Sequence, residues 1–404
     1  MQTSLDPTLS QTPAGQEAES ILRSCVHCGF CTATCPTYQL LGDELDGPRG
    51  RIYQIKQILE GAEPSATTQE HLDRCLACRS CETTCPSGVR YHRLLEIGKA
   101  ELERRQPRPL FERIRRGAML KVIPHPARFT PLLRLGQLVR PLLPAGMKRG
   151  IPAYQSAGPR PTTRHARTML VLDGCAQSGI APRINAAAAR VLDRLDISLR
   201  SAPNTGCCGA MHHHMNDEAT GLDMARRNID AWWPLIEAGA EAIVMTASGC
   251  GTQVKEYGEL LADDPSYRDK AERVSALTRD LSEVLAGEDL GKLGQPGHGQ
   301  ASVAFHTPCS LQHGQKLNGV VEGVLARLGF ELRAVAEGHL CCGSAGAYSM
   351  LQPDIAGQLR DRKLNALTVN QPARIATANI GCLTHLAGGD IKVLHWIELL
   401  DPSL

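Results

Sequence analysis

Apolar residues recur along this chain with two different periods, and the change falls near residue 168. Before it the spacing is helical: Ile52, Ile55, Ile58 and Leu59 follow a turn at Pro48 and Gly50, and Leu94, Leu95 and Ile97 mark the inward side of a helix from Tyr91 to about Arg105. The stretch from Ala18 to Cys25 predicts another helix, while residues 1–17 read as a flexible tail. After residue 168, short apolar runs alternate with helical ones: strands over 169–172, 197–201 and 242–246, helices over 181–195 and 222–238. The order then returns, with strands over 303–306, 332–335 and 375–378 and a helix over 320–328. Such alternation implies a mostly parallel sheet with helices on its faces.

The pattern predicts an α + α/β chain. After the tail come an α-helical domain over 18–105, a connector over 106–167, and two α/β repeats over 168–290 and 300–404. Residues 107–161 hold ten of the 25 prolines, and the pairs Leu132-Leu133, Leu138-Val139 and Leu142-Leu143 are separated by Arg and Pro, as in short amphipathic helices joined by kinks.

At 404 residues and 42% hydrophobic content the chain can fill more than one core, and no apolar run approaches the roughly 20 residues that cross a bilayer. The formal net charge of +2 hides an asymmetry: residues 99–168 carry 16 Lys and Arg against 3 acids, which leaves −11 for the rest. Nucleic acid is not expected, because no aromatic interleaving or nucleic-acid module accompanies the basic stretch. A solvated linker is one reading of it, and a face for anionic lipid or an acidic partner is the other.

The cysteines change the picture most. Two copies of C-x-x-C-x-x-C-x-x-x-C-P stand in series: Cys25, Cys28, Cys31, Cys35-Pro36 and Cys75, Cys78, Cys81, Cys85-Pro86. Bacterial-type ferredoxins hold [4Fe–4S] clusters with this run, and in two-cluster ferredoxins its last Cys crosses to the other cluster. That resemblance implies one cluster on Cys25, Cys28, Cys31 and Cys85 and a second on Cys75, Cys78, Cys81 and Cys35. The long helical spacer between the runs favours an α-helical ferredoxin domain. Zinc would leave the third Cys of each triplet and the displaced Cys-Pro without a role. Disulfides need an oxidising compartment, whereas residues 1–20 have three acids, no Lys or Arg and no apolar segment of an export signal, so a cytoplasmic chain is expected.

Eight more cysteines follow strands. Cys309, Cys341 and Cys382 stand 134, 134 and 132 residues beyond Cys175, Cys207 and Cys250, and Cys207-Cys208-Gly209 is matched by Cys341-Cys342-Gly343, so the region is an internal duplication. Thiols beyond the carboxyl ends of parallel strands line the crevice where such sheets bind ligands. A buried Cys is also an ordinary small hydrophobe. His212, His213 and His214 are consecutive and point apart, which reads as surface histidines.

The twin runs followed by two Cys-Cys-Gly repeats resemble the iron–sulfur subunits of respiratory two-hydroxy-acid and glycerol-phosphate dehydrogenases and of heterodisulfide reductase. Cys-Val-His-Cys-Gly-Phe-Cys-Thr-Ala-Thr-Cys-Pro-Thr-Tyr at 25–38, Leu-Asp-Gly-Pro-Arg-Gly-Arg at 45–51 and Asn-Ile-Asp-Ala-Trp-Trp-Pro at 228–234 are similar, within that set, to the glycolate oxidase iron–sulfur subunits. The resemblance implies an electron carrier beside flavin-containing subunits that oxidise glycolate, and D-lactate as a further substrate, with the membrane quinone pool as acceptor and a peripheral place on the inner face of the cytoplasmic membrane. No Gly-x-Gly-x-x-Gly follows a strand, so no flavin is expected on this chain. The heterodisulfide reductase repeat ends in C-x-x-C; here Cys250 and Cys382 lack that last Cys, and His385 is its candidate substitute. Cys175, Cys207, Cys208, Cys250, Cys309, Cys341, Cys342 and Cys382 thus form an additional iron–sulfur centre, a redox-active dithiol or a vestigial scaffold. The alternative functions are a self-contained thiol–disulfide reductase and a structural assembly subunit.

Overall fold

The computed structural model describes residues 1–403 apart from 145–147 and 149. Contacts divide the chain into one unit of Met1–Arg116 with His339–Lys363 and another of Gly117–Gly338 with Leu364–Leu404.

The first unit is helical. The helix Pro48–Leu59 opens on a proline, which suits the first turn because its missing N–H would be unpaired there. It buries Ile52, Ile55, Ile58 and Leu59 against Leu94, Leu95 and Leu102 of the helix Tyr91–Arg105. The two helices cross at Gly98, where a Cβ would come within 2.6 Å of Ile55. The helix Pro13–Ser24, capped by Thr12 Oγ1 accepting from Gly15 N–H, adds Ala18, Ile21 and Leu22 to the same core.

Residues 1–17 depart from the expected flexible tail. They form the helix Pro7–Ser10 and the start of Pro13–Ser24, Asp6 N–H donates to Leu59 O at 2.9 Å, and Thr3 Oγ1 donates to Glu60 Oε1 at 3.0 Å. The segment thereby satisfies the carboxyl end of the helix Pro48–Leu59, which short-range sequence patterning does not register.

The second unit holds two four-stranded, all-parallel sheets. β1 (Arg167–Val171), β2 (Ile197–Ser201), β3 (Ile243–Met245) and β4 (Thr278–Asp280) lie in the order β2-β1-β3-β4. β5 (Val303–His306), β6 (Leu332–Arg333), β7 (Arg374–Thr377) and β8 (Lys392–His395) repeat it as β6-β5-β7-β8. Each repeat thus has one strand more than the apolar runs predicted. One apolar core takes residues from both sheets, among them Met169, Val244, Phe305 and Leu394, together with Ala187, Ala188, Val191 and Leu192 of the helix Arg183–Asp193. Residues 106–167 hold the helices Leu110–Val122 and Pro126–Val139, and the division between the two units falls within the first of them, after Arg116.

Candidate metal centres

Both cysteine runs fold the same way. His27 and Gly29 in the first, and Ala77 and Arg79 in the second, have φ of 55°, 86°, 49° and 60°. A non-glycine residue there costs about 1–2 kcal/mol, so three such residues at matching places mark a loop held in shape by what it encloses. These turns bring peptide N–H groups toward the sulfurs, as where Ala77 N–H donates to Cys75 Sγ at 3.5 Å.

Two cavities result. One, with about 440 Å³ of empty space partly open to solvent, is lined by Cys25, Cys28, Cys31 and Cys85, with Cys81 at its wall. The other, about 300 Å³, is lined by Cys35, Cys75, Cys78 and Cys81. Cys81, Pro48 and Tyr91 border both. The fourth thiol in each therefore comes from the other run. None of the sixteen cysteines is in a disulfide. Burial, and then negative charge on Cys25, Cys85 and Cys28, pushes the Cys31 thiol up to about 11, and burial with Cys78 and Cys75 pushes Cys81 well above the usual range. Four thiols lining one cavity are a donor set that fits an iron–sulfur cluster, whose irons would offset the charge of the thiolates.

The second cavity is backed by polar residues that sequence reasoning did not single out. Tyr91 Oη donates to Cys75 Sγ at 3.5 Å. Thr37 Oγ1 lies 3.3 Å from Cys35 Sγ and donates to Asp46 O at 2.9 Å. Asp46 and Arg51, two of the three charged residues of the 45–51 segment, are both buried. Tyr348, from the second Cys-Cys-Gly repeat, donates its hydroxyl to Arg74 O at 3.0 Å. Burial, and then the Cys75 thiolate, raise its phenol, and Cys341 adds to this.

In the second unit, Cys175, Cys207 and Cys250 follow the adjacent strands β1, β2 and β3, so their loops meet at the carboxyl edge of one sheet. The thiols of Cys175, Cys207, Cys208 and Cys250 neighbour one another in that order. Cys175 pulls the Cys207 thiol down, but Cys208 and burial outweigh it and push Cys207 up to about 12. Cys207 and burial push Cys175 well above the usual range. Gly209, with φ of 90°, makes the turn; a Cβ there would meet Gly221 O at 2.7 Å. Buried Asn228 accepts from Gly206 N–H and donates to Cys207 O, and Tyr257 Oη donates to Cys208 O at 2.8 Å.

The second copy keeps the turn, since Gly343 also has φ of 90° and its Cβ would meet Ala356 O at 2.7 Å. Its thiols are divided: Cys341 and Cys342 fall in the first unit, Cys309 and Cys382 in the second. His385 stands one turn after Cys382 on the helix Ile380–Leu386. His212, expected at the surface, is buried, with Nδ1 at 2.8 Å from Asp217 Oδ2. Among the described residues no helix is long and apolar enough to cross a membrane.

The family described as "4Fe-4S dicluster domain" matches residues 21–89, and that described as "Cysteine-rich domain" matches 169–255 and 303–387. The chain is 59% identical to the glycolate oxidase iron-sulfur subunit of Escherichia coli (strain K12), over 100% of this chain and 99% of that protein. It is 28% identical to the probable glycolate oxidase iron-sulfur subunit of Bacillus subtilis (strain 168), over 95% and 94%. It is also 28% identical to lactate utilization protein A of Bacillus velezensis, over 54% of this chain and 92% of that protein.

Proposed function

The chain belongs to the family of glycolate oxidase iron–sulfur subunits, and from that premise we propose that it carries electrons singly within a hetero-oligomeric oxidoreductase. Flavin-containing partner subunits oxidise glycolate to glyoxylate, and this chain passes the electrons toward the quinone pool. A [4Fe–4S] cluster, when bound, accepts and releases one electron at a time. Cys25, Cys28, Cys31 and Cys85 hold one such cluster and Cys75, Cys78, Cys81 and Cys35 the other. The observation that carries this reading is the pair of cavities, each lined by three cysteines of one run and the last of the other, with Cys81 bordering both. The basic connector, with 16 Lys and Arg against 3 acids over residues 99–168, suits a peripheral position on the inner face of the cytoplasmic membrane.

The C-terminal thiols are a candidate further iron–sulfur site. The thiol–disulfide reductase reading has less support, because the relatives that this chain matches over nearly its whole length are iron–sulfur subunits. The test is iron and acid-labile sulfide per chain, with electron paramagnetic resonance of the reduced protein. About eight irons correspond to two cubanes, and clearly more place a centre among the C-terminal thiols. Cys85→Ser should abolish the signal of the cluster on the first run while leaving the other. Loss of the second-run signal instead would refute the exchanged ligands.

A further inference from the structure

Charged side chains from separated stretches converge behind the second cavity, and its four thiols do not account for them. Asp46 Oδ1 accepts from Arg51 Nη2 at 3.3 Å and lies 3.1 Å from His71 Nδ1, while Oδ2 accepts from Arg74 Nη1 at 3.0 Å. Arg51 is 1% exposed. Its Nε donates to His71 O at 2.8 Å and its Nη1 to Thr37 Oγ1 at 3.1 Å, and Thr37 is the residue beside Cys35 Sγ. Arg51 and Arg74 share this one carboxylate, and Arg74 also pairs with the exposed Glu70, so the charge left facing the thiolate wall is that of the buried Arg51, which lines the cavity. Folding alone does not call for this, since well-packed apolar residues do as well as a buried ion pair or better.

An added electron places one more negative charge in the cavity. At low dielectric a neighbouring fixed cation stabilises that state by a Coulomb term that water does not screen, and net charge around a cluster is one determinant of its potential. A guanidinium is suited to this because it stays charged even when buried. Burial opposes its charge, but the Cys75 and Cys35 thiolates and Asp46 favour it. The first cavity differs. Its lining cation, Arg49, is paired with Glu44 at 2.7 Å, both more than a third exposed, so water screens that charge where it does not reach Arg51.

We propose that Arg51 sets the reduction potential of the cluster held by Cys35, Cys75, Cys78 and Cys81, raising it, and that Asp46 moderates the effect. This rests on the reading that the two cavities hold cubanes. The step concerned is one-electron reduction of that cluster, with no bond made or broken in the protein.

The test is an anaerobic redox titration of the full chain with dithionite and mediators, following each cluster by electron paramagnetic resonance, with Cys85→Ser identifying the first-cavity signal. Arg51→Gln should lower the second cluster's midpoint by about 59 mV or more, a tenfold change in its one-electron reduction constant, and leave the first unchanged. Arg51→Lys should stay near wild type, and Asp46→Asn should shift the midpoint upward. Overturning results are an unmoved midpoint in Arg51→Gln, equal shifts of both clusters, Arg51→Lys behaving as Arg51→Gln, or loss of the cluster from all three variants alike, which would assign the network to folding. Wild-type protein without iron in the two cavities would overturn the cluster reading itself, and iron analysis recognises that before any titration.

Discussion

His395, at the end of β8, has both ring nitrogens committed: Nε2–H donates to Thr246 O at 2.9 Å and Nδ1 accepts from Ile397 N–H at 3.3 Å. Protonating Nδ1 would break the second bond inside a dry core, and burial depresses the imidazole to about 4 from its ordinary 6.5. A depressed histidine contributes stability that is complete above pH 6.5 and declines as pH falls toward 4, because the unfolded chain takes the proton first. Asp280, raised by burial to about 6, titrates in the same window with the opposite sign. The difference between wild type and His395→Gln therefore isolates the imidazole. In urea unfolding it should shrink by about 1 kcal/mol between pH 7.5 and 5.5; a constant difference would contradict the assignment. The cysteine ladder was legible at this scale because ligand spacing is local. His395, Asn228, Tyr257 and Tyr348 were not, since their partners lie between 21 and 274 residues away.

Among the elements, strands were legible where their residues are apolar. β1, β2, β3, β5 and β7 lie within or beside such runs, and β6 is shorter than its run. β4, Thr-Arg-Asp, and β8, Lys-Val-Leu-His, escaped because each is an outer strand of its sheet whose residues are partly polar. The helix pair of the first unit makes a prediction at this scale. Gly98 sits in a helix interior, where alanine gains about 1 kcal/mol from propensity alone. Here its Cβ would stand 2.6 Å and 2.7 Å from Ile55 Cγ2 and Cγ1, and overpacking costs about 1–3 kcal/mol. Gly98→Ala should therefore lower Tm, and the same substitution should cost less when made in an Ile55→Ala background. A raised Tm would mean that the crossing relaxes without cost.

For the whole molecule, the duplication was legible from near-constant cysteine offsets, and the division of its second copy was not. His339–Lys363 belongs with the N-terminal unit, where Tyr348 reaches Arg74 and Arg115 Nη2 donates to Leu351 O at 3.3 Å. Nothing in a repeat's own sequence records a bond to a residue 274 positions earlier. Tyr348→Phe should remove about 1 kcal/mol of that attachment and raise amide hydrogen exchange across 339–363 while leaving β1–β4 unaffected. Uniform protection in the variant would show that the hydroxyl is dispensable.

The exchange of last cysteines between the two cavities also bears on biogenesis. A chain made only as far as residue 60 has Cys25, Cys28 and Cys31, and the thiol that completes their cavity is still 25 residues from synthesis. Closing either pocket takes both runs, so a translational stop in the spacer leaves a fragment with neither cavity complete.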